Sequence, residues 1–273
     1  MFLKKTCFTF FTILFVCSFI EVKGQSEPIE SDWVREDSLF IESIAKAYKA
    51  NPNNLEVLLP NRKERREKLG FDYYLINGSN GKGYVSIFYK VVFLKDSLIG
   101  YELHPQMPTD KRLIERYLSF YASLFKIDNN LSPEPLLYGV DSLCKPLPEF
   151  NGKLPTINAE TKFFMCPFSG IRYGIYGGDP NALIHERIYF EKIKKYFTPE
   201  ICELMMYSKN PATRLYAIEY YYKNPKMFKE NQERIDFRIK VIFNELPNVI
   251  TMYSDVVEHE NAKKLVEKFV KEP

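Results

Sequence analysis

The chain has 273 residues, of which 45% are hydrophobic, and a formal net charge of +3. This length and hydrophobic share are sufficient for one large domain or two small ones, each with an apolar core. A charge so close to zero provides no global attraction for phosphate groups, so we expect no nucleic-acid partner.

Residues 1–24 have the pattern of a secretory signal peptide. Lys4 and Lys5 precede an uncharged run, residues 6–20, which is rich in Phe, Leu, Ile and Val. Cleavage after Gly24 would start the mature chain at Gln25 and lower the charge from +3 to +1, because three lysines and one glutamate leave. A membrane-spanning helix needs about 20 apolar residues, more than this run contains. We therefore expect an exported protein, periplasmic or secreted, with no transmembrane span after cleavage.

A lipid anchor is the alternative to cleavage after Gly24. Residues 14–17, Leu-Phe-Val-Cys, resemble the lipobox of bacterial lipoproteins, which implies lipid attachment at Cys17. Val16 departs from that motif, which has Gly, Ala or Ser at this position. In an apolar run, a cysteine also serves as an ordinary apolar residue of the signal core.

The region after the signal predicts helix, then sheet, then helix. Residues 32–48 have apolar side chains at spacings of three and four, which favours a helix. Residues 62–68 mix basic and acidic side chains and are interpreted as a solvent-exposed helical face. Residues 71–76, 84–93 and 98–103 are rich in aromatic and β-branched residues and predict three antiparallel strands. A helix beginning at residues 108–110 has a broad apolar stripe and is expected to cover this sheet.

The segment 127–178 contains six prolines and predicts no long element. Fifty residues of plain loop are uncommon in a compact domain, so we interpret this segment either as short surface strands or as a functional rim. A domain boundary is predicted at its end. Residues 25–178 would form an α+β region, and residues 179–273 an α-helical region.

Helix start signals recur through the C-terminal region. Four prolines each follow a residue able to cap a helix, at 179–180, 198–199, 210–211 and 224–225. The apolar periodicity predicts helices over 180–197, 199–208, 211–223 and 228–245, one through 249–256 and one through 262–269. The predicted fold class is therefore α+β, with a small antiparallel sheet and covering helices followed by an array of helical hairpins.

The best-defined of these units, Asn210-Pro211 followed by Arg214 and Ala217, resembles the HEAT-repeat family of helical solenoids. The resemblance implies a structural, hydrogen-bonded role for Arg214 and close packing at Ala217. Residues 206–208, Met-Tyr-Ser, recur at 252–254, which fits a period of roughly 40–47 residues if a small insertion is allowed. A bundle of helical hairpins would give the same pattern, and both readings stay open.

Three cysteines follow the signal region: Cys144, Cys166 and Cys202. An oxidising compartment allows at most one disulfide among them. Cys144 with Cys166 is the preferred pair, because both lie in the loop-rich segment. Three buried thiols are the alternative, since free cysteine packs as a small hydrophobic residue.

The histidines His104, His185 and His259 are not at metal-ligand spacing with one another or with a cysteine, so we predict no metal site and no cofactor. His185-Glu186 lacks the second histidine of a zinc-protease helix and is interpreted as a pair on a helix surface. Cys166 with His104 or His185 is the nucleophile and base combination that an envelope hydrolase could use, with its site in the segment 127–178 near Cys166 and His104.

Two further features suggest contacts outside the chain. Asp-Ser-Leu occurs three times and resembles the O-glycosylation signal of certain Gram-negative bacteria, which implies glycans on Ser38, Ser97 and Ser142. Asp-Ser is also ordinary capping and turn chemistry. The helix over 211–223 carries more tyrosines than one face can bury, which predicts an exposed contact surface at Tyr216, Tyr220 and Tyr221.

These observations favour a non-catalytic interaction or scaffold protein of the bacterial cell envelope, which contacts a protein or glycan partner through its helical array. The alternative is an envelope hydrolase with its site in the segment 127–178. A hydrolase would show polar groups converging in a pocket beneath that segment, whereas a scaffold would show an exposed apolar patch on the helices.

Overall fold

A computed structural model describes residues 32–53, 55, 66–178 and 182–272. The predicted signal peptide, the lipid-anchor alternative at Cys17, the proposed cap at 179–180 and residues 62–65 of the charge run lie outside the described residues. In the part described, a five-stranded antiparallel sheet is followed by a C-terminal region with several helices, which confirms the α+β fold class.

Within the described residues, the N-terminal part contains five strands and four helices. In chain order these are α1 (Asp32–Ala50), β1 (Arg66–Gly70), β2 (Tyr73–Gly81), β3 (Ser86–Leu94), β4 (Ser97–Pro105), α2 (Lys111–Tyr121), β5 (Leu136–Tyr138), α3 (Val140–Cys144) and α4 (Ala159–Phe164). The sheet has the order β1-β2-β3-β4-β5, and each strand is antiparallel to its neighbours.

The C-terminal part combines helices with two small hairpins. In chain order its elements are β6 (Tyr176–Gly177), β7 (Ala182–Leu183), α5 (His185–Ile193), α6 (Pro199–Met205), α7 (Pro211–Lys223), α8 (Gln232–Glu245), β8 (Asn248–Tyr253), β9 (Val256–Asn261) and α9 (Ala262–Lys271). Among the described helices none is long and apolar enough to cross a membrane.

The sheet is larger than the sequence predicted. β1 lies where the charge run was interpreted as helical, and β5 lies inside the loop-rich segment. β2 also continues through most of the predicted loop 77–83. A glycine at position 78 permits this, because a Cβ there would lie 2.4 Å from the hydroxyl oxygen of Tyr89 on β3.

One face of the sheet packs against α1 and α2. Ile87, Tyr89 and Val91 alternate along β3 and point into this core, as a strand with one buried set of side chains requires. Ile44 of α1 and Leu113 of α2 pack on the same core. The helix predicted to cover the sheet is therefore confirmed, and a second helix shares that role.

Asp37 fixes α1 to the sheet. Its buried carboxylate accepts hydrogen bonds from the backbone N–H groups of Gly83 and Tyr84, both at 2.7 Å, and from the hydroxyl of Tyr117 at 2.6 Å. These three donors come from the β2–β3 turn and from α2. One side chain thus joins three separate elements of this core.

The other face of the sheet is partly covered by the C-terminal region. Leu75 and Val92 on this face belong to the larger of the two cores. That core joins residues on both sides of the boundary predicted at residue 178, from Leu69 to Phe269. Residues before and after position 178 therefore share one apolar interior.

Helix α7 lies at the centre of the larger core. Its bounds agree with the predicted helix over 211–223, and the Asn210 side chain caps it by accepting from the N–H of Ala212 at 3.0 Å. The amide nitrogen of Asn210 also donates to three carbonyl oxygens, of Phe164 at 3.2 Å, Cys166 at 3.1 Å and Gly170 at 2.7 Å. The capping residue therefore holds the segment 164–170 against the start of α7.

Arg214 is fully buried and joins α7 to the sheet. Its guanidinium donates to the carbonyl of Ser208 at 3.0 Å and to the carbonyl of Leu69 at the end of β1, and it lies 5.0 Å from the ring of Phe71. Burial, with a smaller contribution from nearby Arg238, lowers the pKa of Arg214 to about 9. The structural role that the sequence implied for Arg214 takes the form of bonds to neighbouring backbone carbonyls.

One predicted helix is wrong, and the start of another is wrong. The helix predicted through 249–256 is instead the hairpin of β8 and β9, because Val249 and Thr251 alternate into the core at the strand period. The helix predicted from residue 180 begins only at His185, since residues 182–183 pair with residues 176–177 as a strand. The two copies of Met-Tyr-Ser consequently differ in structure, one lying at the end of α6 and the other in the β8–β9 hairpin.

Candidate binding cleft

A cleft of about 680 Å³ opens between the sheet and the C-terminal region. Its floor is the half of the sheet face that the larger core leaves uncovered, and its wall comes from the segment 167–172, the start of α5 and the β8–β9 hairpin. Its volume lies in the range of sites that hold small ligands, roughly 300–1,000 Å³. The side chains that the following paragraphs use are Glu67, Asn77, Ser79, Phe88, Lys90, His104, Arg172 and Glu186.

Strand register builds the floor in two rows. Asn77, Lys90 and Glu102 are direct neighbours across β2, β3 and β4, and Ser79, Phe88 and His104 form the next row. Side chains two residues apart on a strand share a face, so both rows share the face on which Val92 is buried. The C-terminal region covers Val92 but not Phe88, whose side chain is 50% exposed.

Glu102 connects the first row with the second. Its two carboxylate oxygens lie 3.1 Å from Nζ of Lys90 and 3.0 Å from Nε2 of His104. Nζ of Lys90 also reaches the carbonyl of Phe168 at 3.4 Å, across from the sheet to the wall. The lysine therefore fixes the wall against the floor, and the carboxylate orients the half-exposed imidazole.

A second histidine and carboxylate pair stands at one end of the cleft. Nε2 of His259 on β9 lies 3.0 Å from Oε2 of Glu67 on β1. This contact joins the edge strand of the sheet to the C-terminal hairpin. The cleft is thus held by polar contacts at Lys90 and at His259, on two sides of its floor.

Glu186 in the wall has a buried carboxylate, of which only one oxygen is hydrogen-bonded to a described residue. It lies in the first turn of α5 with its side chain only 3% exposed, and Oε1 accepts from Nε of Arg172 at 3.0 Å. Gly170 has φ +112 and lies so close that a Cβ there would be 2.4 Å from Oε1. Oε2 has no hydrogen-bond partner among the described residues. Leaving such a buried acceptor unpaired costs about 1–3 kcal/mol or more.

The residues proposed for a hydrolase are only partly brought together. His104 and the segment 167–172 meet at the cleft, which is the convergence of polar groups that the hydrolase interpretation required. The side chain of Cys166 is fully buried in the larger core and is not among the residues that line the cleft. The thiol of Cys166 and the imidazole of His104 therefore do not form a nucleophile and base pair in the cleft.

Cys144 and Cys166, chosen from the sequence as the preferred disulfide pair, do meet. Both are buried free thiols in the same core, and each is close enough to shift the pKa of the other. Cys202 lies elsewhere in the same core, where its Sγ contacts the carbonyl oxygen of Ala217 at 3.2 Å. The bond between Cys144 and Cys166 stays a prediction.

The exposed tyrosine surface predicted on α7 is wrong. Tyr216 is fully buried, its ring stacked on Phe190 at 4.8 Å and its hydroxyl donating to the carbonyl of Gly174 at 2.9 Å. Tyr221 is 4% exposed and Tyr220 is half-buried. The reason is that α7 is enclosed by its neighbours on nearly all sides, so that even the charged side chains of Arg214 and Glu219 are buried.

The three proposed glycosylation serines differ in accessibility. Ser97 at the start of β4 and Ser142 in α3 are exposed, whereas Ser38 is half-buried within α1. Asp37, which precedes Ser38, is occupied by the three hydrogen bonds described above. Glycosylation at these positions stays a prediction.

Glu186, Phe88 and Lys90 line the cleft but were not predicted from the sequence as site residues. His185-Glu186 was interpreted as a helix-surface pair, but Glu186 is buried while His185 is exposed. A usable signal was present in β3, where the polar or exposed side chains 86, 88 and 90 alternate with apolar ones before Val92 breaks the alternation. Such a break indicates a strand whose second face is covered over only part of its length.

Comparison with known proteins gives the cleft no precedent: no family model matches the chain, and neither a curated protein nor a solved structure is significantly similar to it. Among the described residues, no group of three or more His, Cys, Asp or Glu side chains is placed to hold a metal ion. The cleft must therefore be interpreted from its own chemistry.

Proposed function

We propose that this protein is an exported, non-catalytic binding protein of the bacterial cell envelope and that a hydroxyl-rich glycan segment occupies the cleft. The signal-peptide pattern of residues 1–24 supports export. The burial of Tyr216 and Tyr221 moves the proposed contact surface from α7 to the cleft.

The charged groups of the cleft favour a polar ligand with little net charge. Glu102 is paired with Lys90 and His104, and Glu186 is paired with Arg172. Paired groups keep fixed positions and still offer unused lone pairs and N–H groups around the ligand. Hydroxyl groups, which both donate and accept hydrogen bonds, match such an environment.

The observation that carries the proposal is Glu186, which lines the cleft while its Oε2 is enclosed by protein and has no hydrogen-bond partner among the described residues, so a ligand group reaches this oxygen only if the wall shifts. An ionised carboxylate only accepts hydrogen bonds, so it selects a ligand group that donates one. A bond from a ligand hydroxyl would be charge-assisted, and such bonds contribute about 1.5–3 kcal/mol. The ligand would supply the partner that the fold withholds.

Phe88 supplies the apolar part of the site. Its half-exposed ring stands on the floor between Ser79 and His104. An aromatic ring contributes a large, rigid contact area, and one face of a sugar ring presents C–H groups that can pack on it. The combination of one apolar platform with a few oriented polar groups is typical of ligand sites.

Isothermal titration calorimetry with a panel of soluble, neutral and amino-sugar oligosaccharides tests the proposal. We expect at least one oligosaccharide to bind wild type, and Glu186→Gln to bind it at least about tenfold more weakly, a loss of about 1.4 kcal/mol. The amide keeps the shape and the bond to Arg172 but places a donor where the acceptor stood. Phe88→Ala should weaken binding comparably.

Two control variants match these changes outside the cleft. Glu233→Gln alters a glutamate in the first turn of α8, and Phe237→Ala removes a ring that is 70% exposed on the same helix. Both should bind as wild type does. The proposal fails if no oligosaccharide of the panel binds, or if Glu186→Gln and Phe88→Ala bind as tightly as their controls.

The hydrolase alternative is favoured by one specific contact, the 3.0 Å pair of His104 and Glu102. A carboxylate-oriented imidazole open to a cleft is able to act as a general base. Incubating the bound oligosaccharide with wild type and with His104→Gln, and analysing the products by mass spectrometry, separates the two functions. Cleavage that is lost in His104→Gln would identify an enzyme, whereas binding without cleavage supports the binding protein.

A further inference from the structure

The pair of thiols in the larger core is separate from the cleft chemistry. Cys144 ends α3, and Cys166 directly precedes the short 3₁₀ turn Pro167–Ser169. The two side chains are 5% and 0% exposed and belong to the same core. Consecutive residues hold their segments together, because the hydroxyl of Ser208 donates to the carbonyl of Met165 at 2.7 Å while Lys209 binds carbonyls on both sides of Cys144. Because Cys202 bonds to the carbonyl of Ala217 instead, the core distinguishes one cysteine pair from the third cysteine.

A lysine is held beside this pair. Nζ of Lys209 donates to the carbonyls of Ser142 at 2.9 Å and Lys145 at 2.7 Å, on both sides of Cys144. Lys209 is 5% exposed, and burial lowers its pKa to about 8. A buried ammonium group at this position favours negative charge on the nearby sulfur atoms.

The two thiols are chemically unequal. The hydrogen bond from Cys166 lowers the pKa of Cys144, with smaller contributions from Lys162 and Lys209. The same hydrogen bond, together with burial, raises the pKa of Cys166. Cys144 is also the more exposed of the two and is flanked by the carbonyls that hold the ammonium group of Lys209, so we assign it as the thiolate that attacks first and Cys166 as the thiol that completes the exchange.

We propose that Cys144 and Cys166 form a dithiol site that is oxidised to an intrachain disulfide, while Cys202 stays a thiol. The oxidant belongs to the class of disulfides, either a low-molecular-weight disulfide or an oxidised thiol–disulfide oxidoreductase. The bond would connect α3, which packs on β4, with the residue directly before the wall segment 167–172 of the cleft.

The exchange takes two steps. The thiolate of Cys144 attacks one sulfur of the oxidant, which forms a mixed disulfide and releases the other sulfur as a thiolate. Cys166 then gives up its proton to the released thiolate and attacks the sulfur of Cys144, so that the second oxidant sulfur leaves as a thiolate and takes up a proton from solvent. The protein loses two electrons, and the oxidant disulfide is reduced to two thiols.

Peptide mapping tests the site in the full chain. The protein is refolded from denaturant in a buffer containing oxidised and reduced glutathione, treated with iodoacetamide under denaturing conditions, and digested with trypsin without reduction. Trypsin places Cys144, Cys166 and Cys202 on separate peptides, 127–153, 163–172 and 196–209, and leaves Cys7 and Cys17 of an unprocessed chain on a fourth, 6–23. We expect peptides 127–153 and 163–172 joined by a disulfide and peptide 196–209 alkylated.

Variants confirm which thiols react. Cys202→Ser should give the same joined peptides, because Cys202 takes no part. Cys144→Ser should leave Cys166 alkylated or bound to glutathione, and never joined to peptide 196–209.

Two results would overturn the proposal: alkylation of all three peptides in wild type after oxidative refolding, or a disulfide that includes Cys202. Wild type alone yields either result, so the test does not depend on the folding of a variant. The outcome is also independent of ligand binding in the cleft.

Discussion

Replacing Glu219 by leucine removes the acceptor of the most extensive buried ion pair described in the structure. Glu219 on α7 accepts two hydrogen bonds from the guanidinium of Arg187 on α5, at 2.9 and 2.7 Å, and one from the hydroxyl of Tyr173 at 2.9 Å. Both charged side chains are at most 5% exposed. Burial alone would lower the pKa of Arg187, but the bonds to Glu219 outweigh it and the pKa is raised.

The expected loss follows from the groups left behind. In Glu219→Leu the guanidinium of Arg187 stays buried without its two acceptors, and such broken pairs cost about 3–5 kcal/mol in the free energy of unfolding. At about 2–4 °C per kcal/mol for a chain of this size, the melting temperature should fall by about 10 °C. The double variant Arg187→Met with Glu219→Leu removes both charges, and we expect it to lose less than the sum of the single variants by about 2 kcal/mol or more.

Urea unfolding of wild type, both single variants and the double variant measures this coupling. The exposed pair of Lys263 and Glu267, at 3.9 Å with both side chains more than half exposed, provides a matched control with a coupling below about 1 kcal/mol. Additive losses at Arg187 and Glu219 would refute the reasoning, because they would assign the destabilisation to lost packing rather than to an unpaired charge.

Three further predictions concern stability. Asp37→Asn should lower the free energy of unfolding in urea by about 2 kcal/mol, because one amide oxygen replaces two acceptors that serve three donors, among them the buried hydroxyl of Tyr117; a change below about 1 kcal/mol would contradict this. Gly178→Ala should lower the free energy of unfolding by about 1–2 kcal/mol because of its φ of +73 alone. Gly139→Ala should lower it clearly more, because the added Cβ would also lie 2.2 Å from the carbonyl oxygen of Ile99. Equal melting temperatures for the two variants would refute the effect of this contact. Burial lowers the pKa of Lys209 to about 8, so between pH 8 and 10 the folded state loses this proton before the unfolded state does. Wild type should therefore gain stability relative to Lys209→Met over that range, by up to about 1.4 kcal/mol per pH unit in urea titrations, and a constant difference would contradict the assignment.

Local signals in the sequence were sufficient for α7 and its cap. Asn210 before Pro211 combines a side chain that accepts from the helix N–H groups with a residue that needs no such bond, and the structure begins the helix there. Thr198 before Pro199 acts in the same way for α6. These signals involve residues next to each other in the chain, so they can be read without the tertiary structure.

The β8–β9 hairpin shows where local signals fail. Val249, Met252, Tyr253 and Val256 have helical spacing, but the same stretch has Val249 and Thr251 at the strand period. Pairing with β9 and burial against the larger core decide between the two periods, and both depend on distant residues. Short apolar runs are ambiguous for this reason.

The cleft could not be derived from the sequence because its groups come from separate segments. Strand register sets Lys90, Glu102 and His104 side by side. Glu186 and Arg172 line the same cleft but come from the C-terminal wall. The unpaired oxygen of Glu186 is a property of its surroundings and has no local pattern. Nothing in His185-Glu186 as a dipeptide separates the exposed side chain from the buried one.

The half-covered sheet has a consequence for the order in which the protein matures. The three strands that form the cleft floor, β2, β3 and β4, are all made before the C-terminal part. Leu75 and Val92 on these strands are covered only by residues that follow later in the chain. During synthesis the growing chain therefore exposes this apolar sheet face until the later residues of the larger core have been made, and such surfaces promote aggregation. A chain that stops before residue 248 would lack the β8–β9 part of the wall and His259 at its edge, so the cleft is completed only in the finished molecule.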